Sequence, residues 1–238
     1  KTVLRGYITG FESVQLLNVK GSSSTYNDKF NQLFSRVENQ TDWQIREQSS
    51  LTLGAGHVDE SVASNRYDSM STKRKNSISY FFAQHEEQLS KQLTLIGGFR
   101  FDANRAYASV WSPKIALQYK ASEKLSFNIS YGRGFKAPDF RQLYLNFTNT
   151  AAGGYTVLGA VDAIRVIQQR QANGQILEIK DDFSRLANLN PEYSTGINLG
   201  GNIKPHKNLK MEFNFFRNDV SGLIDARQVA TKINGGQI

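Results

Sequence analysis

Hydrophobic and polar residues alternate with period two over much of this chain. Residues 124–132, KLSFNISYG, put Leu125, Phe127, Ile129 and Tyr131 on one side. Lys124, Ser126, Asn128, Ser130 and Gly132 fall on the other. Successive side chains of a strand point to opposite faces, so the segment reads as a strand with one apolar and one polar face. The rhythm returns at Leu93, Leu95, Gly97, Phe99 and Phe101, and at Ile115, Leu117 and Tyr119. It returns again at Tyr193, Ile197 and Leu199, and at Leu209, Met211, Phe213 and Phe215. Ile78, Tyr80 and Phe82 make a further apolar side, although Phe81 interrupts its polar side. Leu51 and Leu53 begin a weaker strand. Residues 1–48 carry little pattern, with one long strand expected over 30–45. At about ten residues per membrane-crossing strand, the chain holds roughly nine strands.

The connections are lopsided. Those at 90–91, 121–123 and 205–208 are short, whereas 65–76 and 139–190 are long. Short turns at one end and long loops at the other suit a transmembrane β-barrel, while a β-sandwich spreads its loops more evenly. Inside the long segment, residues 161–171, VDAIRVIQQRQ, predict a loop helix. Val161, Ile164 and Ile167 form its apolar stripe, and Ala172, Asn173 and Gly174 end it.

Length and composition bound this picture. The 238 residues allow one large all-β domain or two small ones. No run is apolar enough for a transmembrane helix, and residues 1–10 lack the apolar centre of a secretory signal. The mean hydropathy of −0.47 does not exclude a membrane barrel, because only alternate residues of its strands meet lipid. There is no cysteine, so no disulfide or thiolate metal site exists. The net charge of +8 comes from scattered basic residues, the densest run being Lys73, Arg74 and Lys75. Nucleic acid is therefore not an expected partner.

Five segments, in order, resemble the barrel of TonB-dependent outer-membrane receptors. Residues 80–102, YFFAQHEEQLSKQLTLIGGFRFD, resemble that family's hairpin, and residues 111–119, WSPKIALQY, its next strand. Residues 131–144, YGRGFKAPDFRQLY, match its Gly-x-Phe-Arg/Lys-Ala-Pro motif through Gly132, Gly134, Phe135, Lys136, Ala137 and Pro138. Residues 189–200, LNPEYSTGINLG, resemble its Asn-Pro-Glu strand start at Asn190, Pro191 and Glu192. Residues 213–225, FNFFRNDVSGLID, resemble the strand and loop that follow. Residues 144–159 resemble receptors of the Bacteroidetes.

The resemblance implies an all-β, antiparallel transmembrane barrel segment in the bacterial outer membrane, with long extracellular loops. Family barrels have about 22 strands around an N-terminal plug. Residues 1–238 are thus expected to be part of such a barrel, with the plug and the closing strands outside them. An open piece of this kind has two unpaired edges and should not transport by itself. The implied function is energised uptake of a scarce nutrient: a siderophore, cobalamin, haem, a peptide or a glycan. The implied partners are outer-membrane lipid, the TonB energy-transducing system acting through the plug, and the extracellular ligand. A passive porin-like barrel and a soluble β-sandwich binding module are the rival readings.

Catalytic chemistry is not expected. Neither G-x-S-x-G nor H-E-x-x-H occurs. GRGFKA at 132–137 fits a loose dinucleotide pattern, but the strand before it is polar on one face, unlike the doubly buried strand of that fold. His57, His85 and His206 lack metal-ligand spacing. Neither a metal nor a cofactor is expected. For ligand contact, the long loop offers Tyr144, Phe147 and Tyr155 as amphipathic surface and Arg165 as a hold for an anionic group.

Overall fold

The computed structural model describes residues 1–18, 25–67, 72–149, 154–186 and 189–238. Nine strands form one antiparallel sheet in the order β1-β2-β3-β4-β5-β6-β7-β11-β12. They are β1 (Thr2–Asn18), β2 (Thr25–Arg46), β3 (Ser49–Ser64), β4 (Arg74–Gln88), β5 (Leu93–Asn104), β6 (Val110–Ser122), β7 (Leu125–Lys136), β11 (Glu192–His206) and β12 (Leu209–Ser221). Between β7 and β11 lie α1 (Phe140–Tyr144), the hairpin β8 (Asn146–Thr148) and β9 (Thr156–Leu158), α2 (Ala160–Ala172) and β10 (Ile176–Ile179). A last short strand, β13 (Ala230–Lys232), pairs with β10.

Directly paired residues share a face, so the register sorts every side chain. Phe81 opposes Phe101, which opposes Trp111. Leu117 opposes both Leu95 and Ile129, Ile129 opposes Leu199, and Leu199 opposes Phe215. This apolar face stays uncovered: Leu53 is 45% exposed, Trp111 51%, Ile129 47% and Phe215 68%. A soluble chain would bury such an area against a second layer, as the sandwich alternative requires. Among the described residues, the buried hydrophobic clusters lie instead at the long-loop end, on the loops and the strand ends beneath them. One joins Ile167, Val229, Ala230 and Ile238; the other joins Val62, Tyr67 and Leu145.

Aromatic rings bound the apolar face at both ends. Near the long loops, Trp111 lies 4.6 Å from Phe101, 5.4 Å from Phe99 and 5.9 Å from Phe81, centroid to centroid. Near the short turns, Tyr119 opposes Phe127, which lies 6.5 Å from Phe213. Trp111 and Tyr119 are eight residues apart on β6, about 26 Å of strand, or about 20 Å of height at a barrel tilt. That is close to the apolar band of an outer-membrane barrel.

The expected loop asymmetry is present. The turns after β2, β4, β6 and β11 are short, and the connection from β7 to β11 spans residues 137–191. The 30–45 strand is part of β2, which runs for 22 residues. At about 3.4 Å per residue it is about 75 Å long, so much of it projects past any membrane. On its projecting part Phe30 packs against the cluster of Val62, Tyr67 and Leu145, so apolar residues stand on the polar face there and the alternation is lost.

Two expectations are corrected. Ile78, Tyr80 and Phe82 belong to the polar face, and Phe81 to the apolar one. Gly54 and Gly56 make the reason visible, because the Phe82 and Tyr80 rings lie directly over their missing side chains. The loop helix is present as α2, and Gly174 ends it with φ +66°. Its buried stripe is Ala163, Val166 and Ile167, whereas Val161 is 47% exposed. The small Ala163 lets the helix sit close to its neighbours.

Replacing Gly56 should displace Tyr80. A Cβ there would stand 2.5 Å from the ring. Gly56→Val is expected to cost about 1–3 kcal/mol, read as a lower urea midpoint in detergent. Gly97 has nothing within 4 Å, so Gly97→Ala should leave the midpoint unchanged. Equal midpoints for the two variants would contradict this packing.

Candidate functional site

The long loop folds back over the polar face. Phe30 and Val62, both polar-face positions by register, pack with Tyr67, Leu145, Phe140, Tyr144 and Phe147. Asp139 starts α1 with a capping box: its carboxylate accepts from the Gln142 amide at 2.8 Å, and the Gln142 side chain accepts from the Asp139 amide at 2.9 Å. Pro138 fixes the chain direction just before it. Burial raises the Tyr67 phenol above its ordinary range.

The two family motifs meet at the stem of this loop. Lys136 pairs with Glu192 in the β7–β11 register, and its amine lies 3.2 Å from the carboxylate. The same carboxylate accepts from the Ile224 amide at 3.1 Å, tying in the segment after β12. Pro191 is fully buried beside it. Gly134 opposes Ser194, whose hydroxyl would stand 3.1 Å from an added Cβ. Phe135 lies 6.5 Å from Tyr107, centroid to centroid. Ala137 and Asn190 sit just outside the two strands.

Of the four loop residues proposed for ligand contact, two converge. Tyr144 and Phe147 flank the Val62–Tyr67–Leu145 cluster. The Arg74 guanidinium lies 4.5 Å from the Tyr144 ring, and that of Arg66 4.8 Å from the Phe147 ring. Tyr144 also lines a cavity of about 480 Å³ with Glu60, Asn76 and Arg105. Tyr155 stands elsewhere, on the β8–β9 hairpin, where its hydroxyl accepts from Asn149 at 3.3 Å. Arg165 is on the exposed side of α2, ion-paired with Asp162 at 3.0 Å. A second cavity of about 450 Å³ opens between α1, α2 and the segment after β12, lined by Leu145, Ile167 and Val229 among others. Within that loop assembly Lys232 is buried, which lowers its amine below the ordinary range, and Arg170 acts in the same direction.

The sequence reading missed a network on the polar wall. Tyr80 donates to Glu38 at 2.6 Å and accepts from Arg36 at 2.9 Å. Arg36 also pairs with Glu38, and Arg5 reaches the same carboxylate at 3.3 Å. Arg100 lies 3.8 Å from the Tyr80 ring centroid and grips Asp102 at 2.6 Å. Residues two apart on a strand make these pairs, so the Arg-x-Glu and Arg-x-Asp spacings were the available signal. Among the described residues, no group of three His, Cys, Asp or Glu side chains could hold a metal.

Comparison with known proteins agrees with this geometry. A family model described as TonB dependent receptor-like, beta-barrel, matches residues 4–237. A comparison with curated proteins found no match. Among solved structures, the siderophore receptor PirA from Pseudomonas aeruginosa is similar, with a TM-score of 0.64 at 17% identity, over 92% of this chain and 40% of that one. The ferric enterobactin receptor PfeA from the same organism gives 0.64 at 18%, over 92% and 32%. The FrpB iron transporter from Neisseria meningitidis gives 0.57 at 13%, over 89% and 31%. The chain thus spans roughly a third of the length of these structures.

Two measurements probe the loop assembly. Burial pushes the Tyr107 phenol up to about 12, and the Asp102 carboxylate acts in the same direction. The folded loop therefore favours the protonated ring. Its stabilisation is complete below about pH 10 and is lost as pH rises through about 12. Absorbance titration at alkaline pH should show a late-ionising tyrosine that Tyr107→Phe removes; an unchanged curve would contradict this burial. Glu192→Ala removes the carboxylate that Lys136 and the Ile224 amide share at the loop stem, so limited proteolysis within residues 139–190 should become several-fold faster. An unaltered cleavage rate would mean that the stem does not hold the loop.

Proposed function

The chain belongs to the TonB dependent receptor-like β-barrel family, and we propose that it forms part of the wall of an outer-membrane receptor for energised nutrient uptake. The observation that carries this reading is the uncovered apolar face of a single nine-stranded sheet, bounded at both ends by aromatic rings. On this reading that face meets lipid, and the opposite polar face lines the barrel interior. Residues 1–238 then make up one part of a longer barrel whose plug and closing strands lie outside them. The short turns sit at the periplasmic side and the long loops outside the cell.

The ligand approaches from the loop side. Tyr144 and Phe147 offer aromatic surface beside the 480 Å³ cavity, with Tyr155 and Arg165 farther out on the hairpin and α2. A scarce nutrient such as a siderophore fits this reading best, since solved structures similar in fold include siderophore receptors and an iron transporter. Cobalamin, haem, peptides and glycans are the other cargo classes of such receptors. Energy would come from TonB acting through the plug. A passive barrel would need neither.

Cell fractionation tests the location, and iron-limited growth tests the cargo. Antibody to this segment should detect a heat-modifiable band in the outer membrane, far larger than this chain alone. Deletion of the receptor should reduce uptake of its nutrient, and loss of TonB should reduce it equally. A soluble band without a heat shift would overturn the proposal. Uptake independent of TonB would leave a passive barrel.

A further inference from the structure

The loop assembly brings two cations to one hydroxyl. Arg170 stands in the last turn of α2, and Lys232 ends β13. The Arg170 guanidinium donates to the Thr156 hydroxyl at 3.2 Å, and the Lys232 amine donates to the same oxygen at 3.4 Å. Both lone pairs of that oxygen are then taken. Its proton therefore goes to the Thr148 hydroxyl, 2.9 Å away on the facing strand of the β8–β9 hairpin. One neutral side chain thus holds two positive charges side by side.

Lys232 is only 9% exposed, so its surroundings are built by this chain's own loops. Its amine donates to the Gly154 carbonyl and to Thr156, which leaves its third proton over. Among the described residues, neither Lys232 nor Arg170 meets a carboxylate. Thr150, Ala151, Ala152 and Gly153, which precede Gly154 in the chain, bring no acidic group. The C-terminal end of α2 favours one cation beside it, but not two. A buried cation without an opposite charge is costly, and a second cation next to it adds to the cost. Space is left at the amine. A Cβ at Gly236 would stand 3.0 Å from it and one at Gly154 3.7 Å, so no side chain shields those two sides. Arg170 is partly exposed, which opens the pair to solvent from the α2 side.

We propose that Lys232 and Arg170 form a binding site for an oxyanion, the phosphate or carboxylate group of a small solute, with Thr156 positioning the two cations. The spare N–H groups of the guanidinium and the spare proton of the amine donate to its oxygens, as charge-assisted hydrogen bonds. The bound charge offsets both cations, which nothing else in their surroundings does. The site does not rest on the uptake reading, because every residue in it belongs to the loop assembly. It is also separate from Tyr144 and Phe147, which flank the other buried cluster.

The test titrates the full-length receptor in detergent with inorganic phosphate, followed by calorimetry, at an ionic strength held constant with sodium chloride. The wild type should bind phosphate. Arg170→Gln should bind it about tenfold more weakly, and Arg170→Lys should keep most of the affinity. Lys232→Met should weaken binding as well. The heat-modifiable band reports folding, and if Lys232→Met loses it, the exposed Arg170 variants still decide the matter. Acetate is the carboxylate probe. Binding of phosphate alone would make the ligand group a phosphate, and binding of both would make it any small oxyanion; each supports the site. No binding of either anion by the wild type would overturn the proposal, as would equal binding by wild type and Arg170→Gln. So would a zero-length carbodiimide link from Lys232 to a carboxylate outside residues 1–238, since a protein side chain would then supply the anion. A receptor that fails to import a nutrient but binds phosphate here would lose the uptake reading and keep the site.

Discussion

The antiparallel hydrogen-bond ladder is the constraint on which everything else depends. It satisfies the backbone of nine strands without water and fixes which side chains share a face. A slip of one residue would send Phe81, Phe101 and Trp111 to the polar wall and carry Tyr80, Arg100 and Asp102 to the apolar one. The glycines guard against that slip. Tyr80 needs Gly56 beneath it, and Phe82 needs Gly54, so only one register seats both rings. Two polar-wall ion pairs, Arg36–Glu38 and Arg100–Asp102, then form between residues two apart on one strand, and a third, Arg5–Glu38, between directly paired residues of β1 and β2.

From this wall the loops take their positions. Lys136 and Glu192 end adjacent strands, and their pairing closes a connection of more than fifty residues at its base. Glu192 also binds the chain after β12, so one carboxylate gathers three segments. The loop elements above it pack over the polar face, which keeps the apolar face free. This division suits a barrel wall with its apolar face outward and its polar face inward.

Much of the fold was legible because period two survives wherever one face meets an apolar environment. Strands β5, β6, β7, β11 and β12 alternate cleanly for that reason, and the long-loop asymmetry follows directly from their spacing. Residues 1–48 were opaque because β1 and the outer half of β2 mix polar and apolar residues on both faces, as a strand projecting past a membrane can. The assignment of Tyr80 was inverted because consecutive Phe81 and Phe82 leave two phases open, and the deciding information lies in Gly54 and Gly56 on another strand. The motif residues from Gly132 to Pro138 and from Asn190 to Glu192 were found in the sequence, but their pairing across the loop stem was not, since nothing local links them. Tyr144 and Phe147 share a cluster that only the folded loop creates. The Glu38–Tyr80 contact escaped notice because the two residues are 42 apart in the chain, although Arg36 and Glu38 are only two apart.

The central claim is that the apolar face meets lipid. Both tryptophans of the chain, Trp43 and Trp111, lie on that face, 62% and 51% exposed. Trp43 is toward the short turns and Trp111 toward the long loops. The direct measurement is tryptophan quenching in the reconstituted receptor by lipids brominated at different acyl depths, with Trp43→Phe and Trp111→Phe to isolate each signal. The account predicts that both tryptophans are quenched, more strongly by bromines near the headgroups than by those at the bilayer centre. Emission from both residues unaffected by any brominated lipid would contradict it.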